Sequence, residues 1–517
     1  MARGKTLRHV AWCRPVQSCR KYLLCGMAPP TRFRLPNALL ASLLLLGACQ
    51  SSGTKSGADT ETAAAAAVPD SAAFTVRHPA WARHATIYQV NVRQYTPEGT
   101  FRAAEADLPR LQRMGVGILW LMPINPIGRS HRKGTLGSAY SVRDYRAVNP
   151  ELGTLADLQH YVATAHRLGM HVILDWVANH TAWDSNLTTA HPDWYTRDSL
   201  GHFRPPVADW QDVIDLDYRK PALRRYMTES MAYWVKTADL DGFRCDVAGL
   251  VPTDFWNDTR QELEKLKPVF MLAEWDELFP PTFISRQEFD PHTRLLERAF
   301  DATYALRLHG LLDSLGRHQK PTAELARYVA AERQLYPAGV NLMTFTSTHD
   351  INAWDGSEYE RLGANAVPEA VLTTLWPGIP MLYNGQESAM KRRLRFFDKD
   401  TIPWGNYPLQ GFYTTLLELK KRHPALQNFD AGSKFRLLPS PAQTVVFDRR
   451  KGTEAVIVAV NLSDKDQLVT LPATDNALGW QYEEVLRDNQ IAAQKPRQLR
   501  VSLPPHGYRV WKQFAMK

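Results

Sequence analysis

Between Trp81 and Pro424, short apolar runs of strand length alternate with helix-length segments, and strand runs of this kind occur eight times. That alternation is the signature of parallel β/α units. Parallel strands need a crossover between them, and a strand covered on both faces reads as a nearly continuous apolar run. The strand runs are Ala85–Tyr95, Val116–Met122 (stopped by Pro123), His171–Trp176, a run ending at Asp246, Val269–Ala273, a short segment at Ala299–Tyr304, Val340–Phe345 and Ile379–Tyr383. Helices are expected at Phe101–Met114, Leu155–Leu168, Pro221–Thr237, Asp254–Leu266, Thr322–Glu332 and Gly411–Lys421. Eight units over residues 81–424 predict a (β/α)8 TIM barrel, an α/β fold whose chemistry sits at the C-terminal ends of the strands.

The chain on either side has a different character. After Pro424 the runs Thr444–Asp448, Glu454–Asn461, Gln467–Leu471 and Arg509–Lys512 are short and separated by Gly, Pro, Asp and Asn. Residues 425–517 therefore read as a C-terminal antiparallel β-sandwich domain. Residues 49–80 are dominated by Ser, Gly, Thr and Ala, a flexible tether with too little bulk for a core. Residues 1–48 read as a signal region, with Met27 opening a basic stretch (Arg32, Arg34), an apolar run Ala38–Ala48, and then Cys49. That run is too short to span a bilayer as a helix. The end of it, Leu46-Gly-Ala-Cys49, resembles the lipobox of bacterial lipoproteins. This resemblance implies cleavage before Cys49, lipidation of its thiol, and a place in the bacterial cell envelope, anchored at the outer membrane or the periplasmic face; an ordinary signal peptide is the alternative.

Charge and cysteine content exclude two classes. The chain carries 62 Lys and Arg against 53 Asp and Glu, but eight of the basic residues and none of the acidic ones lie in residues 1–48. The remainder holds 54 basic and 53 acidic residues, so the body has no global nucleic-acid footprint. Of five cysteines only Cys245 belongs to the body, so no intrachain disulfide is expected, and no Cys/His metal spacing is present.

Charged motifs fall where the strands should end. In Asp241-Gly-Phe-Arg-Cys-Asp246, Arg244 and Asp246 stand two apart and so share one face of a strand. An arginine there favours the ionised carboxylate, and a charged carboxylate in a cleft can act as a nucleophile; an Arg–Asp pair at a strand end is equally a structural ion pair. Asp175-Trp-Val-Ala-Asn179-His180 follows the third strand, Glu274-Trp275 the fifth, and His349-Asp350 the seventh. Glycosidic cleavage needs a carboxylic acid to protonate the leaving oxygen and a carboxylate across the bond. A third carboxylate can stabilise the positive charge that develops on the ring. Glu274, between Ala273 and Trp275, has apolar sequence neighbours that favour a protonated acid.

Taken together these motifs, with Gly115–Pro123, Gly378–Glu387 and the loop Ala139-Tyr-Ser-Val-Arg-Asp-Tyr145, resemble glycoside hydrolase family 13, the α-amylase family, over roughly Trp81 to Lys517. The resemblance implies a retaining α-glycosidase acting on α-1,4-linked malto-oligosaccharides or starch. By motif position Asp246 would be the nucleophile, Glu274 the general acid/base and Asp350 the transition-state stabiliser. Arg244 would orient Asp246, His180 and His349 would bond sugar hydroxyls, Tyr140 would stack on the sugar ring, and Asp175 would be structural. Asn179 is a calcium ligand in some members, which makes calcium the one candidate cofactor. Residues 181–218 would form a small domain B beside the third strand. Thr348 stands where the family often has Asn, and Ala248-Gly249 where many amylases have Lys-His. A transglycosylase or isomerase on the same site, or a non-catalytic sugar-binding lipoprotein, are the competing readings.

Overall fold

The computed structural model describes residues 76–275, 292–336, 338–471, 480–486 and 499–515. The signal region, the tether and Cys49 lie outside the described residues. Eight parallel strands close a barrel in chain order: β1 (Ile87–Val90), β2 (Ile118–Leu121), β3 (His171–Trp176), β4 (Gly242–Cys245), β5 (Phe270–Ala273), β6 (Ala302–Tyr304), β7 (Asn341–Thr344) and β8 (Ile379–Tyr383), with β8 returning to β1. Strand periodicity divides the core in two. Ile118 and Trp120 of β2 point into the barrel with Ile173, Leu272, Met343 and Met381, while Leu119 and Leu121 join the layer under the helices. The closure needs one glycine. Gly242 has φ +150°, and a Cβ there would stand 1.9 Å from the Phe270 carbonyl oxygen, so only glycine lets β4 lie against β5.

The helices form for local reasons. Helix Leu155–Arg167 starts on a capping box, with Thr154 accepting from the Asp157 amide and Asp157 accepting from the Thr154 amide, and it buries Leu158, Tyr161, Val162 and Ala165 at helical spacing. Helix Pro221–Ala238 starts on a proline, whose missing N–H costs nothing there, and buries Leu223, Met227, Met231 and Trp234.

Two of the helices that escape the sequence reading are ten residues or longer. Ala366–Leu375 buries nearly every residue, so it has no polar face and no amphipathic period. Leu306–Gly316 does carry the period, Leu308, Leu311, Leu312 and Leu315, but it begins two residues after β6 with no turn signal between. The first strand is also shorter than its alternating sequence suggests. Asn384 Oδ1 accepts from the Asn91 amide at 2.6 Å, and Val92–Tyr95 turns into helix.

The C-terminal strands form a five-stranded antiparallel sheet in the order Lys434–Leu438, Thr444–Lys451, Glu454–Asn461, Tyr508–Ala515, Trp480–Leu486. A two-stranded antiparallel sheet, Gln467–Leu471 with Leu499–Leu503, lies on one face of it. Val446, Ile457, Ala459 and Trp511 fill the space between the sheets with Val469, Leu471, Val501 and Leu503. The opposite face, Phe447, Val456, Val458 and Val460, packs on the barrel helices through Leu312, Val371, Leu375 and Leu416.

Candidate active site

Every charged motif singled out in the sequence arrives at one end of the barrel, around the fully buried Arg244. The register of β3 with β4 pairs Asp175 with Arg244. Arg244 Nη1 lies 2.6 Å from Asp175 Oδ1 and 2.9 Å from Asp246 Oδ1, its Nη2 lies 2.7 Å from Glu274 Oε2, and its Nε donates to the Tyr304 hydroxyl at 3.1 Å. Trp120 and Tyr140 lie beside the guanidinium, at 5.1 and 5.6 Å from its carbon to their ring centroids. One cation therefore holds three carboxylates.

The turn after β4 ties the nucleophile candidate to the acid candidate. Val247 sits at φ +37°, ψ +49°, a left-handed conformation that a β-branched residue adopts only under constraint. That geometry aims its amide at Glu274 Oε2, at 2.9 Å, and the next amide, Ala248, donates to the Glu274 carbonyl at 3.0 Å. Beside its apolar sequence neighbours Glu274 thus meets a cation and an N–H. Oε2 is held by a cation and an N–H, which leaves Oε1 as the oxygen able to carry a catalytic proton.

The electrostatics correct the expectation that Arg244 simply lowers Asp246. Burial pushes the Asp246 carboxyl well up, the negative charge of Glu274 pushes it further, and Arg244 only partly offsets both. Two like charges this close do not both ionise easily, and the resistance falls on Asp246. One acid and one carboxylate is the state that bond cleavage by such a pair requires. Asp350 is different. Burial raises it, but His349, the Trp354 indole and Arg244 together hold it below the ordinary carboxylate range.

Asp350 begins the turn after β7, with Oδ2 3.1 Å from His349 Nε2. His349 also stacks on Tyr140, with ring centroids 5.2 Å apart. Burial pushes the Tyr140 phenol well above its usual range, and the Asp175 charge adds to that. It stays protonated and donates to Asp175 Oδ2 at 2.9 Å, beside the Trp120 indole N–H at 3.1 Å. His180 is buried with Nε2 4.0 Å from Asp246 Oδ2. Sequence reasoning missed Tyr304, Phe396 and Gln89. Phe396 lies on both Tyr140 and His349, at 6.4 and 6.1 Å. The available signal for Gln89 was a lone amide inside the apolar run Ile-Tyr-Gln-Val.

Calcium finds a poor set of donors. Asn179 Oδ1 is buried without a hydrogen-bond partner, as a ligand oxygen would be. Yet among the described residues no three His, Cys, Asp or Glu side chains stand together as a metal site. A calcium cage takes six to eight oxygens, backbone and Asn carbonyls as well as carboxylates; Asn179 would offer one of them, and no chemical step is derived through the ion.

Comparison with known proteins bears on the family and the fold. Residues 58–210 and 193–276 match the α-amylase catalytic domain, and residues 435–510 match the maltogenic amylase C-terminal domain. The crystal structure of an α-amylase from Lactobacillus plantarum is 33% identical, with a TM-score of 0.73 over 84% of this chain and 99% of that one. The chain belongs to the α-amylase family, glycoside hydrolase family 13. A maltogenic α-amylase from Thermotoga neapolitana is 28% identical, with a TM-score of 0.70 over 84% of this chain and 100% of that one. The α-amylase MalA of Haloarcula japonica is 28% identical over 414 residues, 76% of this chain, and this chain spans only 58% of that relative's length.

Proposed function

We propose that this protein is a retaining hydrolase of α-1,4-glucosidic bonds with a preference for short malto-oligosaccharides, exported and held at a membrane by lipid on Cys49. The observation that carries the reaction is the single guanidinium gripping Asp246 through Nη1 and Glu274 through Nη2. It supports a close carboxyl pair, the arrangement of about 5–5.5 Å that retaining enzymes use, rather than the wider gap that leaves room for a water. Asp246 attacks the anomeric carbon while Glu274 passes its proton to the departing glycosidic oxygen. The C–O bond breaks and a glycosyl ester forms on Asp246. Glu274, now a carboxylate, takes a proton from water. The water oxygen attacks the same carbon and releases Asp246. Asp350 stabilises the positive charge on the ring, His180 and His349 bond its hydroxyls, and Tyr140 lies under it.

Chain-length preference rests on the leaving-group side. The region after β3 is small, a hairpin of His180–Ala182 with Val213–Asp215 and one short helix, Asn186–Ala190. Gly249 has no side chain to offer a sugar, and the Trp275 ring fills the place where one would project. Proton NMR of maltotetraose cleavage should therefore show the α-anomer first, with turnover faster than on soluble starch. The β-anomer first would overturn the mechanism, faster starch hydrolysis the preference, and products longer than the substrate would favour transfer over hydrolysis.

The anchor rests on Leu46-Gly-Ala-Cys49. A lipoprotein modification carries more than one acyl chain, enough for stable anchoring. Cys49→Ser should move the protein from the membrane pellet to the soluble fraction, and a variant that stays in the pellet would place the anchor elsewhere.

A further inference from the structure

We infer that Gln89, a fully buried residue of β1, fixes which nitrogen of His349 carries the proton, and so places the ring N–H on Nε2, the nitrogen nearest Tyr140 and Asp350. The inference rests on the reading of His349 as a sugar-binding residue, but its geometry stands apart from that reading. Gln89 is fully buried on β1, level with Trp120 of β2 and Tyr383 of β8, and its carbonyl accepts from the Asn384 amide at 3.1 Å. The side chain is therefore held on a rigid element. It makes two contacts to one residue. Oε1 accepts from the His349 backbone amide at 3.2 Å, and Nε2 lies 2.7 Å from His349 Nδ1.

The backbone amide decides the orientation of the Gln89 side chain, because an N–H can only donate and must face the amide oxygen. The Gln89 NH2 group then faces Nδ1. An NH2 group has no lone pair to offer, so Nδ1 must be the accepting nitrogen and the ring proton sits on Nε2. The other side of the ring agrees. Nε2 lies 2.7 Å from the Tyr140 hydroxyl and 3.1 Å from Asp350 Oδ2. The Tyr140 proton is already committed to Asp175 Oδ2, so its oxygen is free to accept. The bonds run in one direction, from the Gln89 amide to Nδ1, from Nε2–H to the Tyr140 oxygen, and from the Tyr140 hydroxyl to Asp175. A second proton on His349 would put an N–H against the Gln89 NH2 group. The lock thus disfavours the other tautomer, and the N–H it leaves on Nε2 faces Tyr140 and Asp350 on the cleft side of the ring.

The test uses the full-length protein labelled with ¹⁵N-histidine, its His349 signal assigned by its loss in His349→Gln. Wild type should show Nε2 protonated and Nδ1 bare. Gln89→Glu keeps the shape but places a carboxylate against Nδ1, and a proton should appear on that nitrogen at neutral pH. On maltotetraose kcat/KM should fall about tenfold or more, the worth of one substrate hydrogen bond at the upper end of the net range. Gln89→Leu removes the bias without adding charge; it should lower the fraction with the proton on Nε2 and lower kcat with it, which keeps the idea testable if the glutamate variant fails to fold. Two results would overturn it: Nδ1 protonated in wild type, or both the Nε2 signature and kcat/KM unchanged in a folded Gln89 variant. The spectrum needs no substrate. The Nε2–H signature in a protein inactive on glucans would support the lock and sink the proposed function instead.

Discussion

Arg244 meets three carboxylates with one positive charge, and the shortfall falls on Asp246. Its carboxyl is raised in the folded protein, first by burial and then by Glu274. A carboxyl raised on folding stabilises the folded state while it is protonated and withdraws that contribution as the pH rises through its folded value. At neutral pH Asp246 is therefore a cost to the fold, one that the proposed reaction requires. Asp246→Asn removes the cost together with the proposed nucleophile. Its Tm should exceed that of wild type at pH 7, and the gain should shrink as the pH falls toward about 4, where an unfolded aspartate also becomes protonated. Turnover should drop by several orders of magnitude, as loss of a nucleophile does elsewhere. Calorimetry at two pH values with a rate assay decides it, and equal Tm values at pH 7 would contradict the electrostatic account.

The element that converts this pair into a site is the turn after β4. Val247 is held left-handed so that its amide reaches Glu274, and Gly249 leaves room for the ring that follows Glu274. A Cβ on Gly249 would stand 2.0 Å from the Trp275 ring. Gly249→Ala should cost about 1–3 kcal/mol by overpacking and displace Glu274, lowering kcat more than it changes KM. Gly411→Ala, within helix Gln410–Arg422 and with open space around its Cβ, should instead gain up to about 1 kcal/mol. A denaturant titration that ranks the two alanines together would count against the turn's role. Nothing at Gly249 in the sequence announces this, because the clash comes from a residue that follows another strand. The same limit explains the rest of what the sequence left hidden. Arg244 and Asp246 were legible as neighbours because period 2 is a local rule, and β3 and β8 were legible to the residue because their apolar runs end at clear stops. The helix Ala366–Leu375 was not, since it is buried on nearly every side and shows no amphipathic period. Gln89 gave only a lone polar residue, whose partner is 260 positions away.

At the scale of the whole molecule, barrel and C-terminal sheets share a core. The described residues, all from 76 onward, belong to one compact unit. Within it Phe447 is fully buried, with rings of Trp376 and Phe435 at 5.4 Å, and Val456, Val458 and Val460 complete the same cluster against Leu312, Val371, Leu375 and Leu416. The joint is polar as well as apolar. Lys420, buried and held well below its usual pKa by desolvation, donates to Asn428 Oδ1 at 2.5 Å, and Asn428 Nδ2 donates in turn to the carbonyls of Ala82 and Ala85 at the start of the barrel. Each large apolar side chain in such a seam contributes about 1.5–3 kcal/mol by burial. Several of them together match the 5–15 kcal/mol by which a whole domain is stable. The barrel therefore does not outlive the sheet. Wild type should unfold in a single calorimetric transition. Phe447→Ala should lower that one transition by about 3–5 kcal/mol without splitting it, although Phe447 is far from the reacting carboxylates in sequence and takes no part in their contacts. Residual activity measured during heating should fall along the same curve. Two separated transitions, or a soluble and active barrel after truncation before Lys434, would show that the sheets are an appendage and not part of the catalytic body.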